Sequence, residues 1–241
     1  MILAAGKGSR MGVQSATVPK PLTVVAGQTL LARLLHHLRA AFCTQVVVNV
    51  HHLPEKIEAA LEPEIETGYV TISDERSGLL ETGGGVKKAL SLLGADPFYV
   101  VNGDALWVDA SADNAFGNLA RLKALWDGAQ MDVLLLLVKR EDALGYEGVG
   151  DFFAEGNSDV LQVEFRNERP DAPYVFGGLQ LVAPDAYTDM PKGSWSNREI
   201  FRAAAKKGRL RGLLIDGHWM HVGTMGAVAE AEQKLAEIGA A

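Results

Sequence analysis

Residues 1–11 read "MILAAGKGSRM", a short apolar strand that runs into small residues and then a Gly-x-Gly turn. A strand ending this way lets the backbone approach a phosphate chain, because glycine carries no Cβ and turn amides bind anions. Lys7, Arg10 and, from "PKPL" at 19–22, Lys20 bring cations to the same opening. The spacing is not that of the P-loop, which needs Gly-Lys-Ser/Thr after four intervening residues. Nor is it the dinucleotide fingerprint: the third glycine is misplaced, and the second strand ends in Asn49 rather than an acid. On its own the turn fits a phosphate cradle and a plain glycine turn with solvated cations equally well.

Outward from this stretch, apolar strands alternate with amphipathic helices. The spacing predicts helices over 29–42, 54–62 and 86–94, and strands over 45–50, 68–73 and 97–104. Continuous apolar strands in a β-α-β-α rhythm imply a mostly parallel sheet covered by helices on both faces. The second half is more mixed, with strands expected over 131–138, 159–165 and 174–182 and a helix over 197–208 closed by Gly208. A last helix is expected over 224–239, with Thr224 as N-cap, a stripe of Val228, Ala231, Leu235 and Ile238, and Gly239 as a stop. With no repeat and no linker, residues 1–241 read as one α/β domain.

Composition narrows the class. The chain has 241 residues, 48% of them hydrophobic and 22% charged, which is enough to bury a core. A net charge of -7 argues against a general nucleic-acid binder. Cys43 is the single cysteine, so an intramolecular disulfide and a cysteine-rich zinc site are excluded. The longest apolar run, "VLLLLV" at 133–138, is too short to span a bilayer, and the opening residues lack a basic n-region. A cytoplasmic protein without a membrane or nucleic-acid partner is expected, as a monomer or weak homo-oligomer.

Three further stretches carry chemistry. In "LLETGGGVKKAL" (79–90), three glycines at the mouth of a helix weaken it, so a close approach must offset the cost. Their amides, with Glu81 and Thr82, are suited to a flat base edge. In "VVNGDALW" (100–107), Asp104 follows a buried strand at the carboxyl end where ligands gather, and a carboxylate there suits Mg²⁺ against phosphate oxygens. Asn-Gly-Asp is also ordinary turn chemistry. In "GHWMHVGT" (217–224), His218 and His221 stand three apart; if the segment is extended they point to opposite faces, with Trp219 beside His221.

Taken together and in this order, "LAAGKGSRM…PKPL", "ETGGG", "NGD" and the late "W-x-x-VGT" resemble sugar-1-phosphate nucleotidylyltransferases over nearly the whole chain. The short length and the "ETGGG" form are most similar to N-acetylmuramate-1-phosphate uridylyltransferases of cell-wall recycling. Similarity to short mannose-1-phosphate guanylyltransferases keeps that second substrate pair open. The resemblance implies a Rossmann-like three-layer αβα nucleotidyltransferase fold with a mixed, mostly parallel central sheet. Its nucleotide-binding half would cover about 1–105, and its sugar-binding half and C-terminal helix about 106–241. It implies nucleotide binding by Leu3, Ala4, Ala5, Gly6, Lys7, Gly8, Glu81, Thr82 and Gly83. Arg10 would hold the departing phosphates, Lys20 would bridge the α-phosphate and sugar phosphate, and Asp104 would take the metal. Gly177 and Gly178 of "YVFGGLQLV" would line the sugar, with Glu164 or Glu168 near a sugar hydroxyl. Relatives usually carry a few residues before the first strand, so either this strand is short or the start is placed late.

One position departs from the family. Many relatives carry an aspartate as second metal ligand where this chain has His221. Imidazole is a poor partner for Mg²⁺ and suits Mn²⁺, Co²⁺ or Zn²⁺ better. Three readings follow: a one-carboxylate Mg²⁺ site, a changed metal, or a lost site; the intact remaining motifs favour the first. A regulatory protein that binds a nucleotide sugar without turnover is the competing class, and a dehydrogenase lacks both its fingerprint and its ribose-binding acid.

Overall fold

The computed structural model describes residues 1–8, 17–111 and 117–240, with only the backbone of Met225. The expected α/β alternation forms, with shifted boundaries. β1 (Ile2–Leu3) is followed by a small hairpin of β2 (Val24–Val25) and β3 (Gln28–Thr29), then α1 (Leu30–Ala40) and β4 (Val46–Val50). Thr29 caps α1 by accepting a hydrogen bond from the Ala32 amide at 3.1 Å. The helix expected over 54–62 is two, α2 (Pro54–Ala60) and α3 (Glu62–Glu66), because Pro63 starts a new turn.

β5 (Val70–Asp74) leads to α4 (Glu81–Leu93), which begins five residues before the expected helix and includes all three glycines. β6 (Phe98–Asn102) follows, then β7 (Ala105–Asp109), α5 (Asn118–Ala124) and β8 (Val133–Lys139). The remaining elements are β9 (Ala143–Leu144), β10 (Phe152–Glu155), β11 (Val160–Phe165), β12 (Tyr174–Val182), α6 (Arg198–Lys206), β13 (Leu210–Leu214), β14 (Gly217–His221) and α7 (Met225–Glu237).

Nine strands form one sheet in the order β10-β11-β13-β8-β12-β6-β1-β4-β5. Following the pairings outward from β1, only β11 and β12 run against the other strands. The sheet is mixed but mostly unidirectional, with helices on both faces. In β4, Val46, Val48 and Val50 pack with the α1 leucines 31, 34, 35 and 38, whereas Val47 packs with Val86 and Ala89 of α4. Each helix layer thus covers alternate residues of the same strands. A second sheet, β7-β14-β9, carries α7, whose Val228, Ala231 and Leu235 pack on Leu106 and Met220.

This layout gathers β1, β4 and β6 side by side and parallel, so the chain after Leu3, Asn49 and Asn102 emerges at one edge. Ligands collect at such carboxyl ends. No helix of the described residues is long and apolar enough to cross a membrane.

Candidate active site

At that edge lies a cleft of about 420 Å³, walled by residues 3–6 and 8, by Lys20, Pro21 and Asn49, by Leu79, Glu81 and Thr82, by 102–104 and by Ser196. Its floor is built by close backbone contact. The Gly103 amide donates to the Leu3 carbonyl at 2.9 Å, and a Cβ on Gly103 would stand 2.5 Å from that oxygen and 2.9 Å from Pro21 Cγ. The glycine of "NGD" is therefore what lets the first strand and the Pro-Lys-Pro turn sit beside Asp104. Gly6 is the opposite case: a Cβ there would meet no described atom within 4 Å, so its missing side chain leaves room in the cleft. Gly8 adopts φ +61°, a conformation glycine takes without strain.

Lys20 and Asp104 meet across this floor. Lys20 Nζ donates to Asp104 Oδ2 at 2.5 Å, and their side chains are 10% and 32% exposed. The pair joins two motifs 84 residues apart into one charged centre. Lys7 is exposed and is not among the wall residues; Arg10 lies outside the described residues.

The opposite wall is the start of α4. Glu81 takes φ +57°, an unusual and costly conformation for a residue with a side chain. Thr82 Oγ1 accepts the Asn197 amide at 2.8 Å. The glycines behind them are closely packed. A Cβ on Gly83 would overlap the Trp195 ring, and one on Gly84 would overlap the Gly193 carbonyl. Their amides both donate to the Trp195 carbonyl, at 2.9 and 3.2 Å. Gly83, expected to present its amide to a base, spends it on this contact. The close approach that the sequence demanded is thus the docking of 193–197 onto α4, which also brings Ser196 to the cleft.

Gly177 and Gly178, expected to line the sugar, sit where the β12–β8 register shifts between Phe176 and Gln180. Gly178 has φ +79°, and a Cβ on it would press on Ala105 and Asn102 at 3.2 and 3.4 Å. The Gly177 carbonyl accepts Trp219 Nε1–H at 2.9 Å. These glycines stand next to the cleft wall through Asn102. Glu164 does not: it pairs with Arg169 at 2.8 Å and lines a separate groove with Phe153 and Phe165. Glu168 borders a further outlying groove with Arg169 and Arg202.

Residues 1–126, more than half of the chain, match the MobA-like NTP transferase domain. The chain belongs to this family. It is 39% identical over 240 residues to the N-acetylmuramate alpha-1-phosphate uridylyltransferase of Caulobacter vibrioides, covering 98% of this chain and 96% of that protein. Its identity to the protein of the same name from Neisseria meningitidis serogroup B is 34%, covering 96% of each. Among solved structures, an apo UDP-glucose pyrophosphorylase superposes with a TM-score of 0.76 at 16% identity, covering 99% of this chain and 98% of that one. That likeness carries the fold, and the family makes the chain a nucleotidyltransferase.

Enzymes of this family generally depend on a divalent metal. The donor set fits a hard cation of modest protein ligation. Asp104 offers a carboxylate at the cleft, and among the described residues no three His, Cys, Asp or Glu side chains converge to form a cage. Mg²⁺ is commonly held in this way, by one or two carboxylates with phosphates and water. His221 is one strand away: it pairs in register with Ala105, next to Asp104, and is not a wall residue of the cleft. Its ring stacks near Trp219 at 5.9 Å and lies edge-on to Tyr146 at 6.3 Å. His218 is itself exposed and, as odd spacing implies, alternates with His221 along β14, on the same side as the buried Met220.

Asn49, Asn102 and Ser196 are wall residues that sequence reasoning missed. The asparagine inside "VVVNV" was the one available signal for Asn49, since a polar residue amid buried valines needs a partner.

Proposed function

We propose that the enzyme transfers UMP from UTP to N-acetylmuramate 1-phosphate, giving the UDP-sugar and pyrophosphate. The observation that carries this reading is the Lys20–Asp104 pair in a nucleotide-sized cleft, in a chain matching two uridylyltransferases over nearly their full lengths. A sugar-phosphate oxygen, already anionic near pH 7, forms a bond to the α-phosphorus of the nucleotide. The α–β bridging bond breaks on the opposite side, and pyrophosphate carries away its electron pair. No general base is required; the barrier is the approach of two anions and the charge on the leaving group, which preorganised cations lower.

Lys20 supplies one such cation to the α-phosphate and the incoming phosphate. Arg10 is assigned to the departing β- and γ-phosphates. Mg²⁺ held by Asp104 would neutralise phosphate charge and orient the chain; Mn²⁺ or Co²⁺ would be the choice if His221 takes part. Residues 3–6 and 8 cradle the nucleotide, Glu81 and Thr82 face its base, and Gly177 and Gly178 border the sugar. Residues 1–241 form one catalytic unit, acting in the cytoplasm as a monomer or weak homo-oligomer.

A matrix of UTP, GTP, CTP, dTTP and ATP against muramate, glucosamine, mannose and glucose 1-phosphates, read by pyrophosphate release, tests the assignment. The expected maximum is UTP with N-acetylmuramate 1-phosphate. Preference for GTP with mannose 1-phosphate would replace the substrate pair and leave the chemistry. Tight nucleotide-sugar binding with no pyrophosphate from any pair would favour the regulatory reading that His221 suggests.

A further inference from the structure

Beneath the nucleotide side of the cleft lies a carboxylate that the chemistry above does not use. Glu75, just past β5, is 0% exposed, and among the described residues it forms no ion pair with a lysine or arginine. Burying an unpaired carboxylate is costly unless hydrogen-bond donors converge on it. Here they do, one on each oxygen. Glu75 Oε1 accepts from Asn49 Nδ2 at 2.7 Å, and Oε2 accepts from the Leu80 amide at 3.1 Å, at the N-terminal end of α4. Asn49, 2% exposed, uses its remaining oxygen to accept the Ala4 amide at 2.7 Å. Gly85 keeps the space open: a Cβ there would lie 2.6 Å from Glu75 Oε1 and 2.8 Å from Asn49 Nδ2.

The path Ala4–Asn49–Glu75–Leu80 therefore ties the start of the glycine loop to the turn that presents Glu81 and Thr82. We propose that Glu75 is a positioning residue that fixes the spacing between these two walls and so sets nucleotide affinity. The inference rests on the nucleotidyl-transfer reading of the cleft. It also explains the residue type. Both oxygens must accept, which a carboxylate does and an amide cannot, because a glutamine offers one acceptor and one donor pair. In Glu75→Gln, one N–H group must face another donor, either Asn49 Nδ2 or the Leu80 amide, at a buried site.

The polarity can be exchanged as a test. Asn49→Asp alone opposes two carboxylates. In the double variant Asn49→Asp/Glu75→Gln, the carboxylate now at position 49 accepts from the Ala4 amide and from the side-chain amide now at position 75. The oxygen of that side-chain amide accepts from the Leu80 amide, so every group is satisfied again. Steady-state kinetics with UTP and the sugar phosphate varied in turn should show the KM for UTP raised about tenfold in each single variant. The sugar-phosphate KM should stay within about twofold, and the double variant should recover most of the UTP affinity. Thermal midpoints of all three variants identify loss of fold.

Equal losses in both KM values, or a double variant no better than the worse single one, would overturn the proposal. If the single variants do not fold, the double variant and Gly85→Ala, which wedges the two side chains apart, decide by calorimetric titration with Mg-UTP. Unchanged affinity in Gly85→Ala, or weak affinity in a folded double variant, would overturn it. If the wild type turns over no substrate pair, the function assigned above fails. The same titration, run with whichever nucleotide binds, then still tests Glu75 by the same pattern of loss and recovery.

Discussion

Lys20 Nζ and Asp104 Oδ2 lie 2.5 Å apart at the floor of the cleft, although they are 84 positions apart in sequence. Each neutralises the other, and each is assigned to the same transferring phosphoryl group. Groups that act as a unit show non-additive losses. Lys20→Met and Asp104→Ala are each expected to lower turnover by about a hundredfold or more, roughly 3 kcal/mol of transition-state stabilisation. The combined variant should be little worse than the poorer single one. Pyrophosphate release measured alongside thermal unfolding checks this, because the side chains are partly exposed and the fold should survive. Near-normal release by Asp104→Ala would remove the metal assignment.

Two glycines separate packing from binding. A Cβ on Gly84 would overlap the Gly193 carbonyl, so Gly84→Ala should cost about 1–3 kcal/mol of stability through overpacking. A Cβ on Gly6 would meet no described atom, so Gly6→Ala should unfold at the wild-type urea concentration. Yet it places a methyl group in the cleft, and the KM for UTP should rise several-fold. An unchanged KM would mean that Gly6 does not border the nucleotide.

His221 stands in register with Ala105, one residue along from Asp104. If its ring reaches the metal, His221→Asp replaces a poor Mg²⁺ partner by a hard oxygen. The Mg²⁺ concentration for half-maximal rate should then fall, and any advantage of Mn²⁺ or Co²⁺ over Mg²⁺ should shrink. No gain for Mg²⁺ would place His221 outside the metal's reach, as a wall between Trp219 and Tyr146.

What could be read beforehand follows from whether a signal is local. Lys20 and Asp104 each lie in a motif a few residues long, and the α1 and α7 boundaries follow from Thr29 and Thr224, whose hydroxyls cap them. Helix α4 was placed too late because glycine propensity opposes helix at 83–85; the Trp195 carbonyl, from a distant part of the chain, overrides it. Strands β7, β13 and β14 were missed as strands or left conditional because "LRGLL" and its like gain their stability from long-range pairing. Gly212 in that segment is needed because a Cβ would collide with Leu137 of β8. Asn49, Asn102 and Ser196 reach the cleft only through tertiary contacts of this kind.

A pH effect is built into the contact between α1 and β7. His37 of α1 stacks on Trp107 of β7 at 4.3 Å, with its Nδ1 3.6 Å from Asp109 Oδ2. Burial holds its imidazole below the ordinary histidine range, and Asp109 only partly opposes this. As pH falls through about 6.5, the unfolded chain takes up a proton there that the folded chain does not. The unfolded state then binds more protons, so stability is full above that pH and declines below it, until the lower folded pKa is reached. His37→Phe keeps an aromatic ring on Trp107 and removes the titration. Urea unfolding at pH 7.5, 6.5 and 5.5 should show the wild type losing stability relative to this variant as pH drops. Parallel pH profiles for the two proteins would assign the decline to other groups.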